Sequence, residues 1–307
     1  MREFELLRQV YAANTTLGDR VPIPPGDDMA LVRLQGRNLL VAVDQVVAGR
    51  HVRLETTPLE LVGRKAVTRS LSDIAAMAGR PVAALAAVAL PPDFGDARAI
   101  TLFESMRSTA AAYDCPLVGG DIAIHGDRTH PLTCSVTVLA EPLGSGPVLR
   151  SGARVGDTLF VTGRLGGSVQ PDGGGRHLTF EPRLAEATEL LEQLGERLHA
   201  MIDISDGLGR DAAHIAEDSS VRIEIDVPAI PCHADVQWKH AAGDGEDYEL
   251  LFAADGRVPE TVGKGVPVTA IGRVVARAEA DRPLVVFRDG NERIGGDELG
   301  WEHHASE

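Results

Sequence analysis

Carboxylates recur in this chain beside glycines and at the ends of apolar runs. Asp27 and Asp28 follow the turn Pro24-Pro25-Gly26, and Asp44 sits at the end of "NLLVAVD". Asp73 interrupts the apolar "LSDIAAM", and Asp121 closes "LVGGD". Asp203 and Asp206 bracket Ser205 in "IDISDG", and Glu246 and Asp247 lie in "GDGEDYEL". Adjacent like charges repel, and a turn needs only one Asp. Aspartates in such places are poor core residues and good ligands for a hard cation. Mg²⁺ takes oxygens in an octahedral shell and shares them with waters and substrate phosphates. Several carboxylates at close range cannot all stay ionised without cations. Taken singly, each has a plainer role. "GDD" is an acidic turn, Ser205 or Asp206 is a helix N-cap, Asp73 is a helix-surface charge, and "GED" is an exposed loop. Spacing alone does not bring them together.

Positioning them requires a scaffold, and the hydrophobic periodicity supplies one. "NLLVAVDQVVAG" reads as a strand. "TPLELVGRKAVTRSLSDIAAMAG" reads as a helix, with Thr57 as N-cap, Pro58 at the first helical position and Glu60 completing a capping box. "PVAALAAVALP" reads as a strand, although its alanines also allow helix. "DARAITLFESMRSTAAAY" is a second amphipathic helix, "CPLVGGD" a short buried strand, and "PLTCSVTVLAEP" alternates at period two. Pro142 to Pro147 is rich in Gly and Pro and marks a boundary between a domain of residues 1–141 and one of residues 142–307. The second half mixes strands ("DTLFVTG", "HAMIDIS", "VRIEIDV", "DYELLFAA", "PVTAIGRVV", "RPLVVFRDG") with helices ("PRLAEATELLEQLG", "DGLGRDAAHIAED"). "GRLGGSVQPDGGGRH" reads as a mobile loop. Strands and helices interleave without strict alternation, which predicts an α+β protein of two mixed-sheet domains rather than a Rossmann fold. Neither GxGxxG nor GxxxxGK[ST] occurs.

A length of 307 residues fits two domains, and 44% hydrophobic residues suffice for their cores. The net charge of −15 argues against nucleic acid or an anionic membrane as partner. Phosphate ligands remain compatible, because bound metals reverse the local sign. Cys115, Cys134 and Cys232 are widely spaced and read as buried thiols of a reducing cytoplasm. The charged N-terminus "MREFELLRQV" is helical in pattern and unlike a signal peptide, and no long apolar span occurs.

"GDDMALV", "DQVVAGRHV", "KAVTRSLSDIAAMAGRP", "LVGGD", "LRSGARVGDTLFVTG", "IDISDGL" and "GEDYELLF" stand in the order found in the thiamine-monophosphate kinases. The chain resembles this family, of the aminoimidazole-ribonucleotide synthetase superfamily, from about Phe4 to Trp301. The resemblance implies two α+β domains, dimerisation through the N-terminal one, and ATP with several Mg²⁺ ions in the cleft between them. It implies direct in-line transfer of the γ-phosphoryl group to the phosphate of thiamine monophosphate. By position, Asp28, Asp44, Asp73, Asp121, Asp203 and Asp206 resemble metal ligands, with Asp27 as a further metal partner. Asp28, Asp73, Asp121 and Asp206 are the carboxylates expected to carry catalysis. Tyr113, Gly120, Asp121, Arg150 and Ser205 resemble ATP contacts. His51, Glu246 and Trp301 resemble substrate contacts.

The chain departs from the family where Ala42 and Val43 replace hydroxyl residues, at Ser70 in place of Asn, and at Ile122 in place of Thr. A diverged member with another substrate, or a nucleotide-binding or thiamine-phosphate-binding protein with weakened catalysis, is the competing reading.

Overall fold

The structure is a computed structural model and describes residues 18–277, 283–297 and 299–301. The N-terminal segment expected to be helical lies outside the described residues. Five strands form the first sheet: β1 (Ala30–Leu34), β2 (Arg37–Val47), β3 (Gly79–Leu90), β4 (Leu117–Ile124) and β5 (Thr133–Pro142). Their order is β1-β2-β5-β3-β4, antiparallel throughout except for β3 with β4. The alternation read in β5 is realised: Cys134, Val136, Val138 and Ala140 are buried, against helices α1 (Leu59–Ala76) and α2 (Asp96–Ala112).

The second sheet runs β13 (Glu292–Gly295), β12 (Val285–Asp289), β8 (Arg222–Asp226), β11 (Val266–Val275), β6 (Thr158–Thr162), β9 (Leu250–Ala254), β7 (Leu198–Asp203), with β10 (Thr261–Val262) paired to β11. Only β8 with β12 is parallel among the described pairs. Helices α4 (Leu208–Asp218) and α5 (Trp238–Gly243) accompany one core, and α3 (Leu184–Leu194) the other. Strand β6 serves both cores, with Leu159 and Val161 in one and Phe160 in the other. Two mixed α+β units are what the sequence predicts.

One open reading is settled and three local expectations change. The alanine-rich β3 is a strand, because β5 and β4 pair with it on both sides and pairing overrides the weak β-propensity of Ala. Strand β4 is not buried: it is an edge strand, and Val118, Ile122 and Ile124 are exposed. The capping box of Thr57 and Glu60 does not form. Helix α1 starts at Leu59, and the Thr57 backbone N–H is already committed to the Arg53 carbonyl at 2.7 Å, which leaves Thr57 Oγ1 buried without a partner. The loop expected to be mobile is laid down on the second domain. Gly166 N donates to Asp247 at 3.0 Å, Ser168 Oγ also donates to Asp247, and Arg176 Nη2 donates to the Gly166 carbonyl at 2.6 Å.

Candidate active site

Helix α1 is the element on which the site is built. One side of it enters the N-terminal core through Val62, Ala66 and Leu71, while Ala75 at its end and Ala78 just beyond pack into the core around α3. The helix is therefore clamped between the two domains. Lys65, Arg69 and Asp73 follow one another at four-residue spacing, which places them on one stripe. Ser72, beside Asp73, donates to Asp203 Oδ2 at 2.5 Å across the domain junction.

At the Asp73 end of this stripe the carboxylates converge. Burial, then Asp44, Asp203 and Asp28, push the Asp73 carboxyl well above its ordinary range. Asp28 is raised well above that range too, by burial first and then by Asp27, with Asp203 adding and Arg150 opposing. Burial lifts Asp203 to about 6 despite the Ser72 hydrogen bond. Asp73 thus lies within reach of the charges of Asp44, Asp203 and Asp28, a convergence that the sequence suggested but could not establish. Asp28 Oδ2 is buried and has no hydrogen-bond partner. Ionising a buried oxygen in that state is costly, as the upward push on Asp28 reflects, and a hard cation is the group that would satisfy the ionised form. The donor set, several aspartate oxygens with an orphan among them, fits Mg²⁺.

Asp27 holds the turn together. Its Oδ1 accepts from Asp28 N at 2.9 Å and its Oδ2 from Arg150 N at 3.2 Å. The Arg150 side chain is pinned by Asp218, Nε to Oδ2 at 2.7 Å, and its charge acts on Asp28 and Asp27. A guanidinium so held presents a fixed positive charge next to the carboxylates.

Beyond Arg69 the stripe opens into a cavity of about 190 Å³ lined by Arg50, His51, Ser205, Asp206, Glu246, Tyr248 and Trp301 among others. Its floor is a buried ionic knot. Lys65 Nζ lies 2.8 Å from both Glu246 oxygens, 2.6 Å from His177 Nδ1 and 2.9 Å from the His51 carbonyl. Burial disfavours the Glu246 carboxylate, but His177, Lys65 and Arg69 overcome it and hold the group at about 2. Burial draws Lys65 down to about 8 against the pull of Glu246. Glu246 also sits at φ +56, a strained backbone for a residue with a side chain. Val47 N donates to His51 Nδ1 at 3.0 Å, which leaves Nε2 as the protonated nitrogen of the neutral ring. Trp301 is half exposed at the rim, its backbone N–H donating to the Asp206 carbonyl at 2.8 Å.

Ser205 and Asp206 are not helix caps. Gly207 flanks α4, and Asp211 reaches back to take the N–H groups of Asp206 and Gly207 at 3.1 and 3.0 Å. The Asp206 carboxylate lies instead near Asp211 and His214, with ligand atoms of all three within 4.8 Å of one another.

Asp121 and Gly120 stay apart from this convergence. In the ladder, Asp44 aligns with Val136, Ala86 and Gly120, on the face covered by the helices. Asp121 aligns with Ala87, Ser135 and Gln45, on the opposite, exposed face. Three strand spacings, about 14 Å, separate the Asp44 and Asp121 strands. Gly120 is needed for backbone contact, since a Cβ there would lie 1.8 Å from the Ala86 carbonyl oxygen. Tyr113 follows α2 and donates its hydroxyl to Glu181, with Arg64 at 3.4 Å.

Lys65, Arg69, His177 and Tyr248 belong to the site and were not singled out from sequence. The available signal was Lys65 and Arg69 in register with Asp73 on a helix otherwise rich in apolar residues.

Known proteins match both halves of the chain. The AIR synthase related protein N-terminal domain matches residues 26–141 and the corresponding C-terminal domain residues 154–282. A thiamine-monophosphate kinase of Rhodopirellula baltica is 35% identical over 279 residues, 84% of this chain and 85% of that protein. The one from Mycobacterium tuberculosis is 32% identical over 305 residues, 92% of this chain and 86% of that protein. A solved structure, AaThiL complexed with AMPPCP and TMP, superposes with a TM-score of 0.80 at 28% identity, covering 99% of this chain and 97% of that chain. With both halves matched in order and full-length relatives this similar, the chain belongs to the AIR synthase related family, in its thiamine-monophosphate kinase branch.

Proposed function

We propose that the protein transfers the γ-phosphoryl group of ATP to the phosphate of thiamine monophosphate, giving thiamine diphosphate and ADP. The observation that carries this reading is one of adjacency. A buried carboxylate cluster with an orphan oxygen at Asp28 lies beside a cavity holding His51, Glu246 and Trp301, and a single helix lines both. The first suits the metal-bound polyphosphate, the second a flat cationic acceptor. The relatives' names supply the acceptor's identity.

The reaction asks little covalent chemistry of the protein. An acceptor phosphate is already ionised at neutral pH, so no side chain has to remove a proton. The task is to align two polyanions and stabilise charge in transit. Asp28, Asp73 and Asp203 would hold Mg²⁺, with Asp27, Asp44, Asp121 and Asp206 as the further carboxylates the resemblance points to. Magnesium, when bound, neutralises the phosphate chain and spreads the transferring charge. Arg150 adds a fixed guanidinium suited to phosphate oxygens. Ser205, Tyr113 and Gly120 are assigned to ATP. Trp301 offers a face for the thiamine ring, and Glu246, kept ionised by Lys65 and His177, offers a carboxylate to its cationic part.

A homodimer belongs to the same reading. The uncovered face and edge of the first sheet expose Val43, Leu85, Ile122 and Ile124. A second copy closing on this surface would cover them and bring Asp121, isolated within one chain, to the joint between copies. A cytoplasmic location accords with three free thiols. Among the described residues no helix is long and apolar enough to cross a membrane.

The deciding experiment mixes protein, ATP, Mg²⁺ and thiamine monophosphate and follows thiamine diphosphate by chromatography. Product that requires both ATP and metal is expected. Tight ATP binding without product would overturn the assignment in favour of another acceptor or a binding role.

A further inference from the structure

Arg69 is unusual among the charges of the site. It is largely buried, its Nη1 donates to the Gln45 carbonyl at 2.9 Å, and its Nε lies 3.5 Å from Asp44 Oδ2. That separation is an ion pair without a hydrogen bond, and Nε has no hydrogen-bond partner. Tyr248, on the opposite domain, presents a second orphan: its hydroxyl is buried and unpartnered. Both residues line the cavity. Apart from the carboxylates of Asp73 and Asp203, on which the charge of Asp44 acts, the strand that carries Asp44 adds no ligand atoms beside it. Ala42, on the same face of β2, carries only a methyl group, and Val43 turns to the exposed face.

We propose that Arg69 is a built-in cation: it takes against Asp44 the place of a metal ion through Nε, and it offers the remaining N–H groups of its guanidinium, together with the Tyr248 hydroxyl, to the acceptor phosphate. The inference rests on the metal-dependent transfer proposed above and narrows it, by removing Asp44 from the set of metal ligands. The charge arithmetic favours it. One guanidinium neutralises one carboxylate at close range, and its planar fork leaves other N–H groups to meet phosphate oxygens. A fixed side-chain charge also needs no metal to be recruited at that point. The absence of hydroxyls at Ala42 and Val43 is then coherent, since a guanidinium needs no octahedral shell.

The test counts metal ions rather than turnover. Mn²⁺ is titrated into the protein with a non-hydrolysable ATP analogue and followed by electron paramagnetic resonance. Wild type and Asp44→Asn should bind the same number of Mn²⁺ ions, because Asp44 holds none. Arg69→Gln should gain one ion, or bind its weakest at least about tenfold more tightly, as Asp44 becomes free. In steady state Arg69→Gln should raise KM for thiamine monophosphate by about ten- to a hundredfold. Arg69→Lys, which keeps the charge, should recover part of that loss. Loss of one Mn²⁺ in Asp44→Asn, or an unchanged Mn²⁺ isotherm in Arg69→Gln, overturns the proposal. If Arg69→Gln does not fold, Asp44→Asn decides alone. Failure of wild type to bind any Mn²⁺ overturns the metal-dependent reading and this inference with it. Normal Mn²⁺ binding with a lost site in Asp44→Asn overturns the inference only.

Discussion

Replacing Lys65 by Met tests the claim that the cavity floor is held by a buried ion pair. Lys65 is fully buried and Glu246 is 19% exposed, with Nζ 2.8 Å from both carboxylate oxygens. Removing one partner of such a pair leaves an uncompensated charge and costs about 3–5 kcal/mol. His177 Nδ1 remains 3.0 Å from Glu246 Oε2 and softens the loss, so the low end, about 3 kcal/mol, is expected. At about 2–4 °C per kcal/mol for large domains, Tm should fall by about 6–12 °C. The assay is a double-mutant cycle of Lys65→Met, Glu246→Gln and the pair, unfolded in urea without metal. The double variant should recover about 2 kcal/mol or more relative to the sum of the singles. In activity, Lys65→Met should raise KM for the acceptor more than it lowers kcat, because it loosens Glu246 without touching the carboxylate cluster. A coupling below about 0.5 kcal/mol would place the pair with exposed salt bridges and refute the reasoning.

Asp28→Asn should abolish metal-dependent turnover while raising the Tm of the metal-free protein, since it removes one charge from a cluster whose members oppose one another; full activity would sink the assignment. Asp203 has its folded pKa raised to about 6 and Asp247 to about 7, from 3.8. Between 3.8 and those raised values the folded state binds more protons than the unfolded chain, so the stability these two groups add should decline as pH rises from about 4 to about 7. Mg²⁺, which competes with protons for the cluster, should raise Tm more at pH 7.5 than at pH 5; an equal rise at both would refute the cluster's role. Glu246 runs the other way. Its pKa of about 2 is below the ordinary 4.5, so its stabilisation is complete above 4.5 and lost as pH falls toward 2, a loss that Glu246→Gln should remove from the acid limb. Gly120→Ala drives a methyl group into the Ala86 carbonyl and should cost about 1–3 kcal/mol, read by thermal melting; a neutral result would mean that β4 is not paired to β3 as described.

The strands were legible where pattern and environment agree. β5 alternates because one face meets helices and the other does not. β4 was misread because an apolar strand with Gly-Gly can be buried in a core or reserved for a surface outside the chain, and composition does not distinguish the two. The site was legible as a set of aspartates beside glycines, but its closure depends on residues remote in sequence. Ser72 and Asp203 are 131 positions apart, and Lys65 and Glu246 are 181 apart. A lysine on a helix reads as solvent-facing by default, and only the arrival of Glu246 and His177 from the other domain makes its burial tolerable. Arg69 escaped notice because its burial rests on Asp44 and the Gln45 carbonyl, which only the folding of β2 against the helix brings to it.

The stripe on α1 also explains how a site split between two domains keeps its geometry. Lys65 and Ser72 are seven residues apart, about 10 Å along the helix axis. Each grips the second domain, one through Glu246 and the other through Asp203. One contact would allow the domains to pivot. Two contacts at that separation fix the direction of the helix relative to β7 and to the Glu246 turn. Arg69 and Asp73 lie between and beside the two grips on the same stripe, so their positions follow from the domain angle. Lys65 is the contact at the cavity end of the stripe, which is why loosening it should be felt in acceptor binding.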